Sequence, residues 1–129
     1  MLRKIAIFIL LVVIVLAITH KKTLAEGNLI TPEKVKELID NKADIVLLDV
    51  RTAQEHNAAH IKGVKLIPIK EIPKRLGEIP KDKDVIVLCA VGGRSAQATK
   101  FLLDNGFTKI RDMQGGMKAW QKKGFPVEK

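Results

Sequence analysis

The sequence predicts an α/β domain whose central sheet is mostly parallel and is flanked by helices on both faces. Residues 45–50 and 85–89 are short apolar runs without the alternation of a half-exposed strand, and such runs are typical of strands buried on both sides. Segments with apolar residues at helical spacing alternate with these runs, which is the pattern of parallel strands joined by crossover helices. Binding sites in such sheets lie beyond the carboxyl ends of strands, and Asp49 and Cys89 stand at two of those ends.

The individual elements follow from apolar spacing and from the residues at their boundaries. Thr31 and Pro32 are residue types that begin helices, and apolar residues follow them at helical spacing. The predicted strands are residues 45–50, 64–67, 85–89 and 109–113. The predicted helices are residues 32–40, 69–76 and 95–105, and a last helix that carries Met117 and Trp120 as core residues.

Proline and glycine set the limits of the later elements. Pro68 ends the second predicted strand, and Pro73 interrupts the second predicted helix. Gly106 is a typical residue to stop the third helix. Gly115 and Gly116 turn the chain into the last helix.

The first 25 residues have the pattern of a targeting segment. Two basic residues precede an uninterrupted apolar run over residues 5–18, as in secretory signal peptides. At 1.5 Å per residue the run covers about 21 Å, whereas the hydrocarbon core of a bilayer is ~30 Å thick. Residues 1–25 are therefore expected to be either a signal peptide cleaved after Ala25 or a membrane anchor over residues 5–19. Residues 26–129 are expected to form the folded domain, exported to the periplasm or another extracytoplasmic space.

Composition disfavours several classes of function. The net charge is +9, but the basic residues are spread along the chain, and four Phe, one Trp and no Tyr offer little for base stacking. We therefore expect no nucleic-acid partner. The chain has one cysteine and three histidines, and we expect no close pair of histidine ligands, so neither a metal site nor a bound cofactor is expected. His20 and His56 are expected to lie in solvent.

Cys89 is the principal candidate for chemistry. It closes an apolar strand and is followed by Gly92, Gly93 and Arg94, where a helix begins. Loop N–H groups and a helix N-terminus favour an anion, and the thiolate is the nucleophilic form of a cysteine whose ordinary pKa is about 8.5. A cysteine at the end of a buried strand is often an inert packing residue, but the glycines and the arginine favour a covalent-catalysis site.

Three stretches resemble a single-domain rhodanese, a sulfurtransferase, over residues 29–128. The first runs from Leu48-Asp49-Val50-Arg51 through Glu55 to His60-Ile61-Lys62-Gly63-Val64, the second is residues 89–95, and the third runs from Gly115-Gly116 to Trp120 and on to Gly124-Phe125-Pro126-Val127. Two features depart from the family pattern. Ala59 precedes His60 where the family usually has Gly, and Ala90 and Val91 are apolar where some thiosulfate-specific members carry basic residues.

The resemblance implies a two-step transfer of sulfur through Cys89. The thiolate would take the outer sulfur of a small anionic donor such as thiosulfate, and cyanide or a thiol, including a protein thiol, would remove it. The residues expected to bind the substrate are Ala90, Val91, Gly92, Gly93, Arg94 and Ser95, with Arg94 at the donor's anionic end. Asp49, Arg51 and Glu55 are expected to form a supporting ion-pair set. His60 is expected to be structural, as the hydrogen-bonded histidine of a turn.

Other functions remain open from the sequence alone. Cysteine phosphatases and arsenate reductases also combine a cysteine, a loop and an arginine, but phosphatases place five residues between the cysteine and the arginine, and here there are four. A non-catalytic binding module of the same fold is a second alternative. A third is a persulfide relay or redox sensor that acts with a protein partner.

Overall fold

The computed structural model describes the backbone of the whole chain and the side chains of residues 1–14 and 27–129. The helices are α1 (Leu2–Gly27), α2 (Pro32–Asp40), α3 (Ala53–Ala58), α4 (Gly93–Asp104) and α5 (Gly116–Lys122). The strands are β1 (Leu29–Ile30), β2 (Ile45–Asp49), β3 (Lys65–Leu66), β4 (Asp84–Leu88) and β5 (Ile110–Met113). Two 3-10 segments, Ile69–Lys74 and Leu76–Glu78, connect β3 to β4.

The five strands form one sheet in the order β1-β5-β4-β2-β3, and every neighbouring pair is parallel. The predicted α/β class and parallel sheet are therefore confirmed. Asp49 of β2 lies opposite Leu88 of β4, and the Val50 N–H donates to the Leu88 carbonyl at 3.0 Å. The carboxyl ends of β2 and β4 thus lie side by side, with Cys89 immediately beyond β4.

Helices cover both faces of the sheet, as predicted. Val85, Val87 and Cys89 pack on one face, against Ala98 and Leu102 of α4. On the other face, the core cluster combines residues of β2 and β4 with Val35 of α2 and with Met117 and Trp120 of α5. Strand residues therefore alternate between two apolar cores, which explains why β2 is apolar up to Asp49 and β4 is apolar after Asp84.

Four elements differ from the sequence-based expectation. The predicted helix over residues 69–76 is a pair of 3-10 segments, because Pro73 lies inside it and lacks an N–H group. The strand predicted over residues 64–67 is shorter, at Lys65–Leu66. β1 and α3 were not predicted. β1 has two residues, and α3 has six residues and no buried side chain, so neither produces an apolar pattern.

The apolar N-terminal run is only partly described. Residues 5–14 carry exposed apolar side chains, whereas residues 15–19 of the predicted anchor and the predicted cleavage site at Ala25 lie outside the described side chains. His20 lies outside them as well. In the part of the chain that the structure describes, no helix is both long enough and apolar enough to span a membrane.

The start of α5 holds the loop that follows β4. The N–H groups of Met117 and Lys118 donate to the carbonyls of Cys89 and Ala90 at 2.8 and 3.0 Å. Gly116 has φ +60°, and a Cβ atom there would collide with the carbonyl of Cys89 and with the backbone of Ala90. A glycine at this position therefore allows the last helix to approach the loop closely.

Candidate active site

The Cys89 sulfur lies in a nearly closed pocket of backbone amides. The residue is 1% exposed. The Gly92 N–H donates to Sγ at 3.0 Å, and the thiol donates to the Ser95 hydroxyl, with Sγ and Oγ 3.4 Å apart. Gly92 has φ +113°, a conformation that glycine adopts without strain and that ends the loop at the first turn of α4.

Hydrogen bonds favour the charged form of this thiol. Burial raises the pKa of Cys89, but the Ser95 hydroxyl and the backbone amides of Ser95, Gly92 and Val91 lower it by more. The pKa of Cys89 is therefore below its ordinary value. An anion on Sγ, or on a second sulfur bound to it, is stabilised by the backbone amides, whose dipoles are fixed and need no reorganisation.

Arg94 is bound to Glu55. Its Nη1 and Nη2 donate to the two carboxylate oxygens at 2.6 and 2.8 Å. The same carboxylate accepts from Thr52 in the capping box of α3. Because Arg94 donates to it, Glu55 has a pKa lowered to about 2. The salt bridge thus joins the starts of α3 and α4. It also occupies the guanidinium of Arg94, which we expected to bind the anionic end of the sulfur donor.

The expected ion-pair set is divided between two carboxylates. Arg51 donates to the Asp49 carboxylate from Nε, 3.0 Å from Oδ1, and from Nη2, 2.8 Å from Oδ2. Asp49 is fully buried. Glu55 offers Arg51 only its backbone carbonyl, at 3.3 Å, because its carboxylate binds Arg94. Arg51 also donates to the Ala59 carbonyl at 2.8 Å. Ala59 has φ −166°, so this position does not need the glycine of the family pattern.

Two histidines extend this network towards the C-terminus. The expectation that His56 lies in solvent is wrong, because its Nδ1 lies 3.1 Å from Asp49 Oδ2 and its ring stacks on His60 at 4.1 Å. His60 donates from Nδ1 to the His56 carbonyl at 2.9 Å, and its backbone pairs with Glu128. These contacts are structural. Among the described residues, no group of three or more His, Cys, Asp or Glu could hold a metal ion.

An open cleft of about 580 Å³ borders the Cys89 loop. Its lining residues include Arg51, Ala90 and Val91, with Lys118 and Lys122 from α5, and none of them is acidic. Sequence reasoning missed the two lysines. Their spacing of four residues puts them on one face of a helix, and a helix carrying Met117 and Trp120 was predicted there, so this signal was available. The positive charge beside the loop therefore comes from the last helix.

Comparison with known proteins agrees with this geometry. Residues 31–123 match the family model of the rhodanese-like domain. The chain is 35% identical over 100 residues to a sulfurtransferase of Allochromatium vinosum, which covers 78% of this chain and 94% of that one. It is 28% identical to the thiosulfate sulfurtransferase GlpE of Actinobacillus pleuropneumoniae, over 77% and 91% of the two chains. A rhodanese-related protein of Thermoplasma volcanium has a similar solved structure, with a TM-score of 0.71, 34% identity and coverage of 77% and 95%.

The Arg94–Glu55 pair predicts how stability depends on pH. The folded-state pKa of Glu55 is about 2, below the ordinary 4.5. Its contribution is therefore complete above pH 4.5 and is lost as the pH falls towards 2. Glu55→Gln should remove this component, so that the variant loses less free energy of unfolding between pH 7 and pH 3 than the wild type does. We expect a difference of about 1 kcal/mol, because the pair is partly exposed, and urea unfolding at both pH values measures it.

A matched control is Glu37→Gln, which removes a carboxylate that pairs with Lys34 on the surface of α2. This variant should keep the pH dependence of the wild type. An equal pH dependence in Glu55→Gln and the wild type would contradict the assignment.

Proposed function

Because the chain belongs to the rhodanese-like domain family, we propose that it is a sulfurtransferase that works through a persulfide on Cys89. Sulfur transfer is the activity of its named relatives, among them a thiosulfate sulfurtransferase. The proposed donor is a small anion such as thiosulfate, and the proposed acceptor is cyanide or a thiol. The observation that carries the proposal is the position of the Cys89 sulfur among amide and hydroxyl donors that lower its pKa.

The first step is the attack of the Cys89 thiolate on the outer sulfur of the donor. For thiosulfate, a bond forms between Sγ and the outer sulfur while the bond between the two thiosulfate sulfurs breaks, and sulfite leaves with the electron pair. The product is a Cys89 persulfide anion. The Gly92 amide already donates to the cysteine sulfur, and together with the amides of Val91 and Ser95, which also lower the pKa of Cys89, it would stabilise the negative charge of both states.

The second step returns the thiolate. A nucleophilic acceptor attacks the outer sulfur of the persulfide, the sulfur–sulfur bond breaks, and Cys89 keeps its own sulfur as the anion. Cyanide would leave as thiocyanate, and a thiolate would leave as a persulfide. No general base is needed for either bond, because both reactants are anions whose charge the loop amides can hold.

The cleft beside the loop supports an anionic donor. Lys118 and Lys122 line it together with Arg51, and the lining has no carboxylate. These lysines supply the charge that Ala90 and Val91 do not. Arg94 has a supporting role in this proposal, since Glu55 binds both of its terminal nitrogens.

The same salt bridge disfavours phosphatase chemistry. A phosphate dianion in a loop of this kind needs a guanidinium free to bind two oxygens, and the Arg94 guanidinium already binds two oxygens of Glu55. A loop with four residues between Cys89 and Arg94 also encloses less space than one with five. Both features favour sulfur over phosphate.

Activity should depend on Cys89. The protein should convert thiosulfate and cyanide into sulfite and thiocyanate, and Cys89→Ser should abolish thiocyanate formation because a hydroxyl cannot accept the sulfur. Intact-mass measurement after exposure to thiosulfate alone should show one added sulfur on Cys89, which cyanide then removes.

Three results would redirect the assignment. Without an adduct from thiosulfate, mercaptopyruvate or polysulfide, the sulfurtransferase proposal fails. A persulfide that passes to a protein thiol but not to cyanide would identify a relay. Hydrolysis of an aryl phosphate above the Cys89→Ser background would favour a phosphatase.

The lysines of α5 should determine how well the anionic donor is used. Replacing both Lys118 and Lys122 by Gln should lower kcat/KM for thiosulfate about tenfold at low ionic strength, because two positive charges beside the cleft are lost. Steady-state kinetics at two salt concentrations measures the effect, which added salt should reduce.

Lys83→Gln is the matched control for charge. Lys83 pairs with Asp44 at the amino end of β4, whereas Cys89 follows the carboxyl end of the same strand. This variant should keep the wild-type kcat/KM. If it loses as much as the double variant, only net charge matters, and the assignment of the cleft is wrong.

We propose further that the domain acts outside the cytoplasm, either after cleavage of residues 1–25 or held at a membrane by residues 5–19. The support is the basic start and the apolar run over residues 5–18. Its described residues 5–14 include nine apolar side chains that are 42–69% exposed. Such a segment gains free energy by entering a membrane or a translocation channel.

A membrane-impermeant maleimide tests this location in spheroplasts of cells that make the full chain. Cys89 should react with it without lysis, once the domain is loosened by mild denaturant outside the cells. Mass measurement then distinguishes a chain cleaved after Ala25 from a full-length chain. Labelling that requires lysis would place the domain in the cytoplasm and refute the proposal.

A further inference from the structure

A second titratable group lies behind the active-site loop. Asp112 of β5 is 6% exposed, and its Oδ1 has no hydrogen-bond partner. Thr99 of α4 is the other residue with a buried side-chain oxygen that lacks a partner among the described residues. Buried polar atoms in folded proteins are nearly always hydrogen-bonded. A buried carboxyl oxygen without a hydrogen-bond partner, such as Asp112 Oδ1, is therefore unusual and needs an explanation.

Asp112 shares a face of the sheet with Cys89. It is paired in register with Val87 of β4, and alternation along the strands turns Val87, Cys89 and Asp112 to the same side. That side is covered by α4, which buries Ser95 and Thr99 against it. Asp112 therefore lies beneath the helix whose first turn carries the Ser95 hydroxyl.

The charged side chains beside the Cys89 loop are Arg94 and the three that line the open cleft, Arg51, Lys118 and Lys122. The neighbours of Asp112 in the sheet are Leu29 of β1 and Val87 of β4, and the buried residues of α4 are uncharged. Cys89 faces the positive charge of Arg94, which is shared with Glu55. Asp112 and Cys89 therefore lie on one face of the sheet, beneath the helix that carries Ser95.

The Ser95 hydroxyl has one proton and several acceptors. With the thiol protonated, Sγ–H donates to Oγ, and Ser95 donates to the Gly92 carbonyl at 3.2 Å. With the thiolate formed, Ser95 must turn its proton towards Sγ to stabilise the anion. An ionised Asp112 would draw the same proton to itself, whereas a protonated Asp112 could donate to Oγ and leave that proton for the sulfur.

The directions of the pKa shifts of Cys89 and Asp112, and their causes, agree with this competition. Burial raises the pKa of Asp112, and the neighbouring Ser95 hydroxyl partly offsets the rise by offering its proton. The same hydroxyl is the foremost group that lowers the pKa of Cys89. The Ser95 hydroxyl therefore lowers the pKa of both Cys89 and Asp112, but it can donate its single proton to only one of them at a time.

We propose that Asp112 is a positioning residue that competes with the Cys89 sulfur for the proton of the Ser95 hydroxyl, and so limits how readily Cys89 becomes an anion. Asp112 does not touch the substrate. Its influence reaches the sulfur only through Ser95. The inference deepens the proposed function and rests on it for the role of Cys89, but the chemical test below needs no sulfur transfer.

The test is the pH dependence of the alkylation of Cys89 by iodoacetamide, followed by intact mass between pH 4 and pH 9. Asp112→Asn keeps the size of the side chain and removes its charge. Its alkylation midpoint should move to lower pH, so that it reacts about three- to tenfold faster than the wild type in the middle of the titration. In a Ser95→Ala background the same substitution should lose most of this effect.

Thr99→Val is the matched control, because it removes the other buried side-chain oxygen that lacks a partner among the described residues, and Thr99 lies on the face of α4 that covers Asp112. Its pH profile should equal that of the wild type, and thermal unfolding verifies that each variant is folded. An unchanged midpoint in Asp112→Asn, or an equal shift with and without Ser95, would overturn the proposal. So would a shift of the same size in Thr99→Val.

The result is independent of whether sulfur transfer occurs. If the alkylation profile shifts as expected but no persulfide forms, the coupling stands and the proposed function fails. If persulfide forms but the profile of Asp112→Asn is unchanged, the function stands and the role of Asp112 fails.

Discussion

Stabilising a sulfur anion inside the protein is the constraint on which the rest of the structure depends. Cys89 is almost completely buried, and a buried charge costs several kcal/mol unless dipoles or hydrogen bonds replace its hydration. The backbone amides of the loop offset this cost by pointing at the sulfur, and they do so in one loop conformation. That shape needs the positive φ of Gly92 and two donors at the start of α5, which Gly116 brings close to the loop.

Two ion-pair networks fix the surroundings of the loop. Arg94 and Glu55 join the starts of α4 and α3. Asp49, Arg51 and His56 hold the end of β2, and the stacked His60 continues the contact to Glu128 near the C-terminus. Because the end of β2, two helix starts and the C-terminal segment are tied together, the amides around the sulfur are held in place.

The sequence was most informative where a local pattern has a single physical meaning. Apolar runs identified β2 and β4, Thr31 and Pro32 marked the start of α2, and Cys89 with its glycines indicated the loop. Pairings between distant residues were not predictable: Arg94 and Glu55 are 39 residues apart, and Asp49 was an equally suitable partner for any arginine. His56 looked like a surface residue because α3 has no buried side chain, so its sequence has no apolar pattern from which the orientation of His56 could be predicted. Asp112 is one of two charged residues in the short strand β5, and only the packing of α4 shows what lies above it.

The contact between α5 and the loop also affects when the thiol becomes reactive. The carbonyls of Cys89 and Ala90 are held by amides of Met117 and Lys118, which are made after the loop during synthesis. An unfinished or unfolded chain therefore carries an ordinary thiol, without the amides that stabilise its anion. The groups that lower the pKa of Cys89 are therefore fully in place only when the last helix has docked, so this lowered pKa is a property of the complete domain and not of the loop sequence alone.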